Sequence, residues 1–120
     1  MDRKELAREY KESTRPMGVF QVRNTITGRC LIGSSVDLPS RLNRERAQLN
    51  LGSHSNRELQ ADWRALGADA FEFTTLDTLA PREDPDDDPR ADLHALEAMW
   101  FEKLAPFGDR GYHAPPARAD

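Results

Sequence analysis

Apolar residues recur along this chain with two different periods. Between residues 18 and 35 they alternate: Phe20 and Val22 share one face of an extended segment, and Val19 and Gln21 share the other. Further on, Cys30 and Ile32 share a face opposite Leu31. The turn-forming run Asn24-Thr25-Ile26-Thr27-Gly28 separates the two segments, so a β-hairpin is predicted. Gly18 opens it and Gly33 closes it; bare backbone there relieves strain or lets another backbone or ligand approach closely.

From residue 37 the period lengthens. Leu38, Leu42 and Leu49 mark the apolar side of a helix that Asp37 caps, that admits Pro39 in its first turn and that ends near Gly52. Ser55 and Glu58 form a capping-box pattern before a second helix, with Leu59, Trp63 and Leu66 on its buried side and Gly67 at its end. Alternation returns over Ala70 to Leu79, with Phe71, Phe73 and Thr75 on one face of a third strand and Glu72, Thr74 and Leu76 on the other. Leu93, Leu96, Trp100 and Leu104 give a last helix, capped by Asp92 and ended by Pro106.

The remaining stretches are polar. Residues 1–16 read as a helical lead-in with Leu6 and Tyr10 as its narrow apolar stripe, stopped by Pro16. Residues 80–91 read as an acidic flexible loop and 114–120 as a disordered tail, leaving one domain over 17–113.

Charge sharpens this picture. The net charge is −4, which argues against a nucleic-acid partner until its distribution is considered. Six acids between Glu83 and Asp92 face only Arg90, so that stretch carries −5 and the rest of the chain +1. Cys30 is the only cysteine, which excludes an intrachain disulfide and a cysteine-based zinc site. No stretch approaches the roughly 18–20 apolar residues of a membrane span, and a cytoplasmic location is expected.

Three places offer chemistry. Arg41, Arg44 and Arg46 crowd the first helix beside Glu45 and Gln48, with Arg41, Glu45 and Gln48 along one ridge, and Arg57 opens the second helix. A guanidinium fork matches phosphate oxygens in a way an ammonium does not. His54 stands just before a helix N-terminus, where free N–H groups favour anions. Glu97 lies beside the apolar stripe of the last helix, as a rim residue, a partner for a buried arginine or a metal ligand facing a cleft. Asp86-Asp87-Asp88 is a weaker metal candidate, because nothing rigid shapes its ligands.

In order and spacing these landmarks resemble the GIY-YIG endonuclease family over roughly residues 17 to 113. Gly18-Val19-Phe20 stands where the family has Gly-Ile-Tyr, and Leu31-Ile32-Gly33, followed by Ser34-Ser35, where it has Tyr-Ile-Gly. Arg41 occupies the position of the catalytic arginine, Glu97 with Trp100 matches the metal-ligand glutamate and its tryptophan, and Gly111-Tyr112-His113 replaces a usual Gly-Tyr-Asn. Gly52 to Asn56, Leu59-Gln60, Trp63 and the Gly67 to Phe71 spacing look like the central section of homing-type members.

The resemblance implies an α/β domain of the α+β type: a small three-stranded antiparallel sheet flanked by helices. It further implies cleavage of DNA, structured or damaged DNA included, with one divalent metal, Mg²⁺ or Mn²⁺, on Glu97. Arg41 would stabilise the phosphate, with Ser34, Arg44, Arg46 and Arg57 as substrate contacts. Phe20 and Leu31 lack the family's two hydroxyls, and Glu45 stands where the family has a histidine, one turn after the arginine. Water activation would then fall to His54, Glu45 or a metal-bound hydroxide, with His113 as a further candidate. The alternative implied is a catalytically weak or inactive module that still binds nucleic acid.

Overall fold

A computed structural model describes residues 15–84 and 86–115. The helical lead-in expected over 1–16 and the tail over 114–120 therefore lie, apart from two residues each, outside the described residues. Strand β1 (Met17–Asn24) and strand β2 (Cys30–Ser35) form the hairpin; helices α1 (Leu38–Leu51) and α2 (Arg57–Leu66) follow. A short 3₁₀ turn, Ala68–Ala70, leads into β3 (Phe71–Leu79), and after the acidic stretch comes α3 (Arg90–Leu104).

The sheet is antiparallel in the order β2-β1-β3, so β1 is central and its two faces carry the two cores. On one face Phe20 and Val22 pack with Leu31 against Leu38 and Leu49 of α1, Leu59 and Trp63 of α2, and Phe71. On the other, Val19, Cys30 and Ile32 meet Leu76 and the Leu96, Trp100, Phe101 and Leu104 side of α3. The alternation read from the sequence thus sorts β1, β2 and β3 as far as Leu76 correctly, and the α+β architecture with helices on both faces follows from it.

Asn24 sets the hairpin turn. Fully buried, it accepts the N–H groups of Ile26 and Thr27 at 3.0 and 3.2 Å, while Gly28 at φ +81° lets the chain return. Between β1 and β3 the register slips: Val19 pairs with Asp77 but Phe20 with Thr75. Leu76 is the extra residue of a β-bulge, and the bulge brings Asp77 to the α3 side, where it accepts a 3.2 Å bond from Trp100 Nε1. Strict alternation would have placed Asp77 on the opposite face. Gly18 makes the bulge feasible, since a Cβ there would stand 2.0 Å from the Asp77 carbonyl oxygen.

Two caps differ from expectation. Asp37 caps α1 as predicted, accepting from Ser40 N–H at 3.2 Å, and Gly52 closes that helix in the left-handed conformation. At α2, however, the cap is Asn56 rather than Ser55; its side-chain oxygen accepts from Leu59 N–H at 3.0 Å, and its amide nitrogen donates to the Tyr112 carbonyl at 2.8 Å. An amide that satisfies two backbone groups at once displaces a hydroxyl that reaches one. At α3 the helix starts at Arg90, two residues before the expected cap; Asp88 accepts from Arg90 N–H at 3.0 Å and Asp92 is held instead by Arg82. β3 likewise begins at Phe71, with Ala70 ending the 3₁₀ turn.

Beyond α3 the chain runs along the outer edge of β2. Tyr112 N–H donates to the Cys30 carbonyl at 3.0 Å, and Ile32 N–H donates to His113 Nε2 at 2.8 Å. An edge strand with unpaired backbone groups is thereby covered. No described helix is long and apolar enough to cross a membrane.

Candidate active site

β2, the turn after it, the start of α1 and the first turns of α3 enclose an open cleft of about 420 Å³. Its lining includes Gly33, Ser34, Arg41, Arg90, His94 and Glu97. Local sequence explains each position. Gly33 has no side chain because the Phe20 ring occupies the space: a Cβ would stand 2.6 Å from Phe20 Cζ. Phe20 is fully buried and supports Arg41, whose guanidinium carbon lies 5.3 Å from the ring centroid.

Arg41 is braced from behind. Its Nε donates to Glu45 Oε1 at 2.9 Å, and the other carboxylate oxygen of Glu45 is hydrogen-bonded to His54 Nε2. His54 Nδ1 accepts from Asn56 N–H at 3.0 Å, so the ring proton sits on Nε2 and is donated to Glu45. The sequence ridge of Arg41, Glu45 and Gln48 placed Glu45 on a charged surface; instead Glu45 is 4% exposed. A carboxylate is tolerated inside when both its oxygens are satisfied, and here Arg41 and His54 satisfy them. The loop holding His54 is fixed in turn, since His54 N–H donates to Gln60 Oε1 at 3.0 Å and Gln60 Nε2 donates to the Leu49 carbonyl at 3.0 Å. The two Nη atoms of Arg41 have no partner among the described residues, and the residue lines the cleft.

Across the cleft Glu97 is half-buried, and its Oε2 accepts from Ser34 Oγ at 2.5 Å. It makes no ion pair among the described residues, with Arg41 or any other cation. One carboxylate oxygen held and the other without a protein partner suits a divalent ion of the Mg²⁺ type, which keeps several waters and takes one or two carboxylates. No cluster of three or more His, Cys, Asp or Glu able to hold a metal occurs among the described residues, so any ion here would depend on few protein ligands.

The other predicted site residues lie elsewhere. Glu45 and His54 stand behind Arg41 and do not line the cleft. Leu31 packs into the core against α1 and α2. Arg44 is exposed on α1, and Arg46 lies over the Phe73 ring at 4.6 Å. Arg57 borders a separate groove of about 1050 Å³ with Arg29, Asn56 and Tyr112. His113 also borders that groove; its Nε2 is taken by Ile32 N–H, its ring packs edge-on against Phe101 at 4.6 Å, and burial lowers its pKa below the usual histidine value. His94 and Arg90 were not singled out from the sequence. The signal that finds His94 is its spacing of three residues from Glu97, which puts both on one helix face.

No protein-family model matches the chain, and no curated protein does. Two solved structures do. The catalytic domain of the homing endonuclease I-TevI superposes with a TM-score of 0.66 at 24% identity, over 80% of this chain and 95% of that one. A mutant of the catalytic domain of the intron endonuclease I-TevI superposes with a TM-score of 0.62 at 23% identity, over 75% and 84%. Superposition over 75–80% of this chain at such low identity speaks for the backbone: the chain has a GIY-YIG-like fold.

Proposed function

We propose that this protein is a divalent-metal-dependent endonuclease that hydrolyses DNA phosphodiester bonds with an altered water-activating group. The observation that carries the reading is the convergence of Arg41, Ser34 and Glu97 on one open cleft, with Arg41 braced by a buried carboxylate. Glu97 would hold the ion, which when bound polarises a phosphate and lowers the pKa of its water. Ser34 fixes one oxygen of Glu97 and so sets the direction in which the other faces. Arg41 presents its Nη atoms to the phosphate oxygens, where negative charge grows as the bond breaks. Because Glu45 and Phe20 hold that guanidinium in place, little reorganisation is needed when the charge appears. The fold of a homing endonuclease catalytic domain supports DNA as substrate. The Arg44, Arg46 and Arg57 side chains would contact the duplex beyond the cleft.

His54 and Glu45 act on this reading as positioning residues rather than as the base, because both nitrogens of one and both oxygens of the other are occupied. His113 braces β2 in the same way through Ile32.

Purified protein with Mg²⁺ or Mn²⁺ is expected to nick supercoiled plasmid. Glu97→Gln should abolish nicking, and Arg41→Ala should slow it by about 10²–10³-fold. A second reading, a nucleic-acid-binding module without turnover, is favoured by Phe20 and by the core-facing Leu31, neither of which can move a proton. Salt-sensitive DNA binding without nicking under any metal or pH would establish it instead. Absence of both activities would overturn each reading.

A further inference from the structure

We infer that His94 is a second protein ligand for the cation on Glu97, and that the cleft therefore favours a divalent transition metal over Mg²⁺. The inference rests on the metal-site reading above and adds to it a ligand and a preference. His94 and Glu97 line the same cleft from successive turns of α3. Residues three apart on a helix are neighbours, with about 5–6 Å between their Cβ atoms, which lets an imidazole and a carboxylate meet at one ion.

The chain has three histidines, and their commitments differ. His54 and His113 each have Nε2 engaged by the protein, whereas the His94 ring has no hydrogen-bond partner among the described residues and is exposed. Glu97 likewise keeps one oxygen without a partner there. The charges around the cleft point the same way. Arg41 is paired with Glu45, and Arg90 makes a forked pair with Asp88 at 2.6–3.0 Å. Glu97 is the cleft carboxylate without a cationic partner among the described residues, so the charge it leaves is one that a cation neutralises. Imidazole nitrogen binds Mg²⁺ poorly, and affinity at a mixed nitrogen and oxygen site rises from Mn²⁺ to Co²⁺ and Ni²⁺.

Titration calorimetry on the tag-free protein, with Co²⁺ and with Mg²⁺ and no DNA, tests this. The wild type should bind Co²⁺ more tightly than Mg²⁺. His94→Ala should weaken Co²⁺ by at least about tenfold, the lower end of the loss seen for partners one step removed from a metal. It should leave Mg²⁺ unchanged and shift the visible absorption of bound Co²⁺. Circular dichroism is expected to show no loss of fold, because His94 is exposed. If His94→Ala leaves Co²⁺ affinity and spectrum untouched while Glu97→Gln weakens both metals, His94 is not a ligand and the metal-site reading stands without it. If Glu97→Gln also changes neither metal, both fall.

Discussion

Arg41 and Glu45 are opposite charges one helical turn apart, a pairing worth a few tenths of a kcal/mol on an exposed helix. Burial changes its meaning here, because Glu45 loses water and depends on Arg41 and His54 for every hydrogen bond it makes. His54→Ala would leave one buried carboxylate oxygen unsatisfied and should lower stability by about 1–3 kcal/mol in urea unfolding. His54→Gln, whose amide can still donate to Glu45, should recover much of that loss. An unchanged midpoint in the alanine variant would mean that water replaces the imidazole. The sequence displays Arg41, His54, Ser34 and Glu97 as candidates and sets Glu45 one turn from Arg41, yet it does not show that His54 meets Glu45 or that Ser34 meets Glu97. Glu45 reads as surface because helical periodicity reports only which residues are neighbours along one helix. The histidine that turns Glu45 inward arrives nine residues later in a loop. His94 is not marked by the sequence for the related reason that the direction α3 faces becomes known only when β2 is placed against it.

The hairpin was the most legible element. Its faces, turn and bracketing glycines follow from alternation and turn chemistry, because β1 is covered on both sides and a one-residue slip would take Phe20 and Val22 out of the core beneath α1 and α2 and turn them toward α3. What alternation could not reveal is why residue 33 is glycine, since its neighbour Phe20 belongs to the other strand. The Gly33→Ala methyl would have to displace a fully buried ring, and overpacking of this kind costs about 1–3 kcal/mol. A double-mutant cycle with Phe20→Leu checks the mechanism: the alanine should cost less beside the smaller side chain, and additive costs would place the clash elsewhere. Cap positions were the least legible feature. Ser55 and Asp92 are sound caps by local pattern, but Asn56 caps α2, held by its bond to Tyr112, and α3 already starts at Arg90, whose N–H donates to Asp88.

Across the whole molecule, the segment from Pro106 to His113 ties the C-terminal side of the domain to the hairpin. Tyr112 is its anchor: its hydroxyl donates to Asp62 at 2.8 Å and accepts from Asn24 at 3.1 Å, while Arg29 lies 4.4 Å over its ring. Burial, with help from the Asp62 bond, pushes the Tyr112 pKa up to about 12. The unfolded chain therefore loses this proton first as the pH passes about 10, and the folded chain keeps it until about 12. The contribution to stability is complete below pH 10 and is lost between pH 10 and 12, on the order of 2 kcal/mol. Urea midpoints across that range should fall for the wild type and fall less steeply for Tyr112→Phe, despite its lower stability at neutral pH. Parallel slopes would show that other groups govern the alkaline limb.

The bond from Ile32 to His113 also has a consequence in time. It spans 81 residues of chain, and translation proceeds at roughly 5–20 residues per second, so His113 is synthesised some 4–16 s after Ile32. Throughout that interval the outer edge of β2 has no neighbour on the nascent polypeptide. The hairpin is made early, but it is sealed late.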